Sequence, residues 1–401
     1  RYNKGFRLVI NIDFFRCDLM IIYWSMILWI FLIYILYDIT HKEEIALTDY
    51  NLQQGIQRRV PWAYAFLVFG YFIFWASMRH YVADTTAYVT SFNNYSTNFS
   101  EEFSKLNWDP WSSEGKGVLF NAYSIFFKCF ISDNYTLWLS SIAIFSGVCV
   151  MITLRKYCMN ADFFLASFLF LAFLCYSGYM LNGMRQFICV AVSFLCCDFV
   201  ITGKFFKFLT MVAILIFIHS TAIFLIPIYF IARLKPWSKS VWLFIFAMVL
   251  ITVFAEPFFG KVDEFAQGTS YENDISTYFE EDDGVNPLRV LFYAVPPVAT
   301  FAYREKLSKY YEKMPVLSLC VNLSVFTALV YLVGMVTSGI FIGRLPIYSE
   351  LYDLILIPVL LRICFNENNR KYVYFGYVAV LLLYYYLTGP TYYHSDYFGG
   401  F

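Results

Sequence analysis

The sequence predicts an all-α fold, a polytopic transmembrane helical bundle of about twelve spans in which two external loops cap a cavity. Three observations carry this expectation. The 401-residue chain is 60% hydrophobic and 22% aromatic but only 14% charged, more apolar surface than a soluble domain of that length needs. The apolar residues fall into repeated runs of 16–20 residues, about the length at which a helix crosses a bilayer. The segments between the runs are charged, and their Lys and Arg divide unequally between alternate loops.

In chain order, the clear runs cover about 19–37, 60–76, 135–154, 162–180, 184–201, 240–258, 287–303, 315–337, 345–363 and 372–388. Residues 118–131 form a shorter run interrupted by Lys128, which fits an interfacial or re-entrant helix. The run 205–232 admits two readings, one long span centred on His219 or two short helices meeting there. Loop charge favours the second. With two passes, loops 38–59, 155–161, 202–207, 233–239, 304–314 and 362–371 share one side and hold 17 Lys/Arg. The positive-inside rule makes that side cytoplasmic and leaves both chain ends outside. Arg1, Lys4, Arg7 and Arg16 dissent. Met20 directly precedes the first run, and residues 1–18 are expected to be an N-terminal extension. Residues 19–390 then form the membrane domain and 391–401 a C-terminal tail. Both long loops, 77–117 and 259–286, fall outside. The second is acidic (Asp263, Glu264, Glu272, Asp274, Glu280, Glu281, Asp282, Asp283), which suits either a roof over a cavity or a merely solvated surface.

Zero net charge gives no reason to expect nucleic acid as a partner. The first run is long and lacks a small-residue cleavage site, unlike a signal peptide. The ten cysteines lie mostly within runs and read as small apolar packing residues, not as disulfides or metal ligands. No CxxC, HExxH or Gly-rich phosphate loop is present. Asn94, Asn98 and Asn134 stand in glycosylation sequons of a kind that arises readily in a Ser- and Asn-rich loop.

Under this topology the unusual polar residues converge on the external boundary. Arg79, His80 and Asp84 follow the second run. Asn182, Arg185 and Gln186 open the fifth, spaced so that a helix puts them on one face. His219, Ser220 and Thr221 sit at the turn of the hairpin, and Arg344 precedes Pro346. An arginine at membrane depth costs roughly 2.5–3.5 kcal/mol on insertion scales, so it faces a cavity, a partner or the headgroups. Arg185 and Arg344 are both placed at helix starts, where the dipole disfavours a cation unless an anion sits between them. A phosphate or pyrophosphate is the natural anion; the plainer alternative is that each arginine snorkels. His219 at a helix start is expected to be neutral and able to accept a proton, or else to be a satisfied interface histidine. Asp84 suits a base-orienting or sugar-binding role, or an Asx turn. Glu350 and Asp353, one turn apart, read as ion-pair partners for these arginines or as an acid/base pair, the first being favoured. Tyr88, Tyr271 and Tyr278 are candidate sugar-stacking groups.

The order of these features resembles a known family. An early R…D…Y element (RHYVADTTAY, 79–88) is followed by NGMRQ, a helical hairpin ending in IHST, a basic loop, and a late arginine before a span (GRLPIY, 343–348). This is similar to the EpsG family of bacterial exopolysaccharide proteins, within the broader Wzy-type polysaccharide polymerases, over about residues 20–390. It departs from the pattern at Ala83, where the family tends to carry Gly. The tail TGPTYYHSDYFGGF matches nothing in the pattern. The resemblance implies a metal-independent, inverting glycosyltransferase with no cofactor, acting at the external face of a bacterial cytoplasmic membrane. It would polymerise undecaprenyl-pyrophosphate-linked oligosaccharide repeat units into a capsule, exopolysaccharide or O-antigen, with a chain-length regulator and a flippase as partners. On these positions Arg185 and Arg344, with Arg79, would hold the pyrophosphate. His219 would be the general base, and Asp84, Asn182, Gln186 and Tyr278 would bind substrate. Two other classes stay open: a lipid-linked oligosaccharide flippase or other transporter, and a membrane acyltransferase acting on sugars. The polar residues concentrate at one face and do not mark a path through the membrane, which weighs against transport. An acyltransferase would give no reason for paired arginines.

Overall fold

A bilayer offers the backbone no water to bond, so a chain that spans it becomes helix almost throughout. The structure, a computed structural model describing residues 21–41, 59–80, 82–265, 284–339, 342–389 and 392–400, follows this rule. The N-terminal half contains α1 (Ile21–Thr40), α2 (Trp62–Ser77), α3 (Thr85–Asn94), α4 (Phe99–Ser104), α5 (Val118–Phe130), α6 (Tyr135–Tyr157), α7 (Asp162–Ala172) and α8 (Met184–Leu195). There follow α9 (Cys197–Ile201), α10 (Phe205–Ile216), α11 (Leu225–Ala232), α12 (Lys239–Val253), α13 (Ala255–Phe265) and α14 (Pro287–Ala302). The chain ends with α15 (Arg304–Ser308), α16 (Pro315–Met335), α17 (Ile347–Glu350), α18 (Asp353–Cys364) and α19 (Glu367–Thr388). Among the described residues the only strands are an antiparallel pair, β1 (His394–Ser395) and β2 (Gly399–Gly400). The all-α expectation holds.

The expected count of twelve spans is not established. Among the described residues three helices, α1, α6 and α16, are long and apolar enough to cross a membrane. A fourth crossing arises if α12 and the start of α13, bent by 93° at the break between them, count as one span. Several apolar runs that read as continuous are broken in the structure. The run 162–180 leaves the α-helix after Ala172, passes through Leu174 in the left-handed region (φ 59°) and continues as a π-helical turn, Cys175–Met180. Such π turns recur at functional sites. The run 345–363 divides into α17 and α18, preceded by a 3₁₀ turn at Ile342–Arg344. Run 240–258 ends at the bend. The short helix expected at 118–131 is α5. It buries Phe120, Ile125 and Phe127, and its Lys128 Nζ donates to the end carbonyls of α3, Phe92 O at 3.0 Å and Asn93 O at 2.7 Å.

The core lies where α6, α7, α8, α16 and α18 meet. Every residue of α7 is buried, as expected of a helix that is apolar all round. At the opposite extreme α12 fully buries only Val241; Phe244, Ile245 and Met248 pack half-buried beside it, and Leu243, Phe246, Val249 and Leu250 face outward, as on a lipid-facing helix. All nine described cysteines are free, and seven of them are buried. Asn98 and Asn134 cap helices: Asn98 accepts from Glu101 N–H, and Asn134 from Thr136 and Leu137 N–H.

Contacts gather the helix ends into two polar layers. In one, Arg155 donates to Val60 O at 2.9 Å and lies 3.8 Å from the centre of the Trp62 ring. In that layer Lys156 and Tyr157 both hold Asp198, and Arg362 holds Asp162. The other layer contains the start of α8, the tip of the α10–α11 hairpin, the Ile342–Arg344 turn and the C-terminal strands.

The packing of α2 on α6 rests on a small residue. A Cβ at Gly147 would stand 2.6 Å from Ile73 Cγ1, closer than carbon atoms approach, so only glycine permits this spacing. Gly70 on α2 has nothing within 4 Å of such a position. Gly147→Val is therefore expected to destabilise the protein by about 1–3 kcal/mol, the usual cost of overpacking, and Gly70→Val to be close to silent. Unfolding of both variants in the same detergent checks the contrast; equal losses would show that the α2–α6 contact is not tight.

Candidate active site

The α10–α11 hairpin turns sharply inside an apolar run, and several polar backbone groups exposed by the turn find partners. His219 is extended (φ −153°, ψ 117°) between α10 and a 3₁₀ turn, Ser220–Phe224, that leads into α11. Its N–H donates to Leu215 O at 2.9 Å, and its carbonyl accepts from Ala222 N–H at 2.9 Å. Phe217 O accepts from Leu119 N–H, 2.9 Å, which ties the start of α5 to the tip. His219 Nδ1 lies 2.7 Å from Thr221 Oγ1, and Thr221 Oγ1 lies 3.0 Å from the Tyr348 hydroxyl on α17.

The start of α8 faces this tip. Gln186 Nε2 reaches both Thr221 Oγ1 and Arg344 O, each at 3.4 Å, and so joins α8, the hairpin and the Ile342–Arg344 turn. Arg185 Nη1 donates to Lys116 O at 3.1 Å and Nε to the Tyr88 hydroxyl at 3.4 Å, with the guanidinium 5.4 Å from the Tyr88 ring centre. Asn182 Oδ1 accepts the Asp84 backbone N–H at 3.1 Å. Gly117 makes the close approach of the Lys116 loop possible. Its φ is 72°, and a Cβ there would lie 2.6 Å from Arg185 Nη1.

These contacts set the electrostatics of His219. Burial lowers its pKa most, and Arg185, Arg344 and Lys116 lower it further, to about 3 from an ordinary 6.5. The ring is neutral at physiological pH. Arg185 and Arg344 have no carboxylate partner among the described residues. Elsewhere in the described residues Arg362 is paired with Asp162, Lys156 with Asp198, and Arg289 with Glu350 at 3.6 Å, while Arg79, Lys128 and Arg155 rest on carbonyls, a hydroxyl or a ring face.

Arg185, Arg344, His219, Gln186 and Asn182 thus fall in one cluster, Tyr88 beside it. Three expected residues stand otherwise. Arg79 is 1% exposed. It donates to Ala76 O and to Thr85 Oγ1, and its charge lies among Tyr176, Tyr393 and Tyr23. It pins the 79–85 loop and is not open to a substrate, because Thr85 Oγ1 bonds onward to Leu181 O (2.9 Å) and seals that side. Asp84 is exposed and joins the cluster through its backbone N–H; its carboxylate makes no side-chain cap bond. Tyr278, like Tyr271 and most of the acidic loop, lies outside the described residues. Glu350 does not pair with Arg185 or Arg344. It is buried against Arg289, whose Nη2 also donates to the Tyr179 hydroxyl at 2.8 Å. Asp353, buried one turn on, pairs with no arginine among the described residues.

Sequence reasoning missed Lys116 and Tyr348. Lys116 sits in a loop with no periodic signal, although a Lys-Gly step just before an apolar helix is visible. Tyr348 is one of 34 tyrosines. Ala83 has φ 45°, a left-handed conformation that glycine adopts without strain. This is the position where the resembled pattern carries Gly. Among the described residues no group of three His, Cys, Asp or Glu is placed to hold a metal ion.

A family model, that of the EpsG family, matches residues 62–398 of the chain. The match runs from α2 through β1 and stops short of β2, so the tail that fitted no pattern falls within it as far as residue 398. No curated protein and no solved structure matches the chain.

A neutral, half-buried His219 has a consequence for stability. Its pKa in the folded protein lies below that of the unfolded chain, so the unfolded state takes up a proton first as pH falls. The contribution is complete above about 6.5 and is lost as pH falls from there toward 3. Unfolding in nanodiscs between pH 7 and pH 4 is expected to show this loss in the wild type and a shallower one in His219→Gln. Identical acid limbs would mean that the ring is solvated.

Proposed function

The chain belongs to the EpsG family, membrane proteins of polysaccharide biosynthesis, and on that premise we propose that it polymerises lipid-linked oligosaccharides by glycosyl transfer. The observation that carries this reading is the convergence of Arg185, Arg344 and Lys116 on one half-buried neutral histidine, with no carboxylate beside either arginine among the described residues. Fixed cations around a base call for an anionic leaving group, and a polyprenyl pyrophosphate supplies one.

In the proposed reaction the donor is a growing glycan on undecaprenyl pyrophosphate. The acceptor is a sugar hydroxyl on a second lipid-linked repeat unit. The hydroxyl oxygen attacks the donor's anomeric carbon, and the bond to the pyrophosphate oxygen breaks. His219 takes the hydroxyl proton at Nε2 when Nδ1 donates to Thr221. Arg185, Arg344 and Lys116 stabilise the negative charge that accumulates on the departing pyrophosphate. Gln186 and Asn182, at the start of α8, orient the sugars. A single displacement without a protein nucleophile inverts the anomeric configuration. The leaving group departs as an anion, so no acid has to protonate it.

Substrate binding also activates the base. The cations that add to burial in disfavouring a charged His219 are neutralised by a docked pyrophosphate, which raises the basicity of the imidazole at the moment it is needed. The basic layer at the opposite end, with Arg155, Lys156 and Arg362, suits the cytoplasmic side of a bacterial membrane, and on this reading the site faces outward. A flippase that delivers the lipid-linked units and a regulator of chain length are the partners such a polymerase requires.

Purified protein in nanodiscs, given lipid-linked oligosaccharide from its host, is expected to make a ladder of longer glycans and release undecaprenyl pyrophosphate. Arg185→Ala and Arg344→Ala should each lower kcat/KM by about 10²–10³-fold, as loss of a charge-stabilising donor does. His219→Ala should cost about 10²–10⁴-fold, as loss of a general base does. A ladder that survives all three would overturn the site, and movement of intact substrate across the bilayer without a ladder would favour transport. The coupling is checked separately by NMR of labelled histidine. Undecaprenyl pyrophosphate should raise the titration midpoint of His219, and Arg185→Ala should raise it before any lipid is added. A midpoint indifferent to both would place the anion elsewhere.

A further inference from the structure

The C-terminal tail closes back on the site-bearing end of the bundle. His80 N–H donates to His394 O at 2.8 Å, which fastens β1 to the loop that follows α2. His80 Nδ1 lies 2.8 Å from both carboxylate oxygens of Asp396, and the Tyr135 hydroxyl at the start of α6 donates to the same carboxylate. His394 Nε2 is 4.0 Å from it. The tail is also seated apolarly: Phe398 packs on Phe74 and Trp75, and Tyr393 donates to Trp75 O at 2.7 Å. Burial would raise the Asp396 carboxyl, but hydrogen bonds from Tyr135 and His80 outweigh it and hold the group below the usual carboxylate range. Asp396 is therefore an anion gripped from two helix ends.

The gripped loop leads directly to the cluster. From His80 it runs through strained Ala83 to Asp84, whose N–H holds Asn182, and to Thr85, whose hydroxyl holds Leu181 O. Asn182 and Leu181 set the start of α8, three and four residues before Arg185. A loop carrying a left-handed alanine relaxes unless its surroundings fix it. The tail supplies that restraint on one side and α8 on the other.

We propose that the C-terminal strand pair is a positioning clasp for the active site: Asp396, held by His80 and Tyr135, fixes the 79–85 loop and, through Asn182 and Leu181, the seat of Arg185. Asp396 and His80 are positioning residues that touch no substrate. Their effect on turnover rests on the glycosyltransferase reading of the cluster; their hold on α8 does not.

The test is Asp396→Asn, with Asp396→Glu as the conservative rescue, in nanodiscs. Hydrogen exchange is read on peptides covering 82–90 and 182–190, with KM and kcat from the ladder assay. The asparagine variant is expected to exchange faster in both peptides. Its KM should rise about tenfold, the worth of one charge-assisted hydrogen bond, with kcat within about twofold. The glutamate variant should restore both. Unchanged exchange in 182–190 overturns the clasp, whatever the activity. Faster exchange in a protein that makes no ladder even as wild type keeps the clasp and overturns the polymerase reading. Should Asp396→Asn fail to fold, His80→Cys/Asp396→Cys reports on the same contact. Oxidation should restore slow exchange at 182–190 and reduction should release it; no difference between the two states overturns the proposal.

Discussion

The structure depends on one constraint, that a helix broken inside an apolar environment must satisfy its freed backbone and side-chain polar groups with other protein groups. The α10–α11 hairpin breaks at Phe217–Ser220. Its carbonyl at Phe217 draws in α5 through Leu119, and Thr221 draws in α17 through Tyr348 and α8 through Gln186. Once these are seated, Arg344 and Arg185 have little choice of place. The cluster follows from satisfying the turn, and its chemistry is a by-product of which side chains the satisfied turn brings along.

Cations in this molecule are held in two ways. Asp162 accompanies Arg362 and Glu350 accompanies Arg289, whereas Arg79, Lys128 and Arg155 rest on carbonyls, a hydroxyl or a ring face. Removing one partner of a buried ion pair costs several kcal/mol, so the paired cations are bound to their places. Arg185 makes do with a carbonyl, a hydroxyl and a ring face, and Arg344 stays exposed. Such an arrangement is poorer for folding than an ion pair and better for an anion that comes and goes.

Much of this was legible in the chain. Run length and composition gave the helical membrane class. The break at His219 followed from loop charge; helical spacing put Arg185 and Gln186 on one helix, but Asn182 lies in the turn before it, ahead of Gly183. The order of short motifs pointed to the family that the match over 62–398 shows. What the sequence withheld is of one physical kind, the choice of partner between distant segments. Nothing local says that Glu350 will take Arg289 rather than Arg344, that Arg79 will be sealed by tyrosines, or that Lys116 will stand over Arg185. Nor does an unbroken apolar run announce a π turn at Cys175–Met180 or a 93° bend after Val253. Those depend on what packs alongside. Ala83 is the instructive exception: a departure from the expected glycine, visible as a single letter, became a strained backbone angle in the structure.

The contact between His80 and Asp396 spans 316 residues of sequence. At ribosomal rates of about 5–20 residues per second, that separation amounts to roughly 15–60 s between the emergence of the two partners. Throughout that interval the early helices are in place while the loop after α2 has no restraint from the tail. The order of synthesis therefore makes the restraint on this face a late acquisition. A nascent chain that has made its early helices but not the segment around Asp396 has its arginines but not their setting.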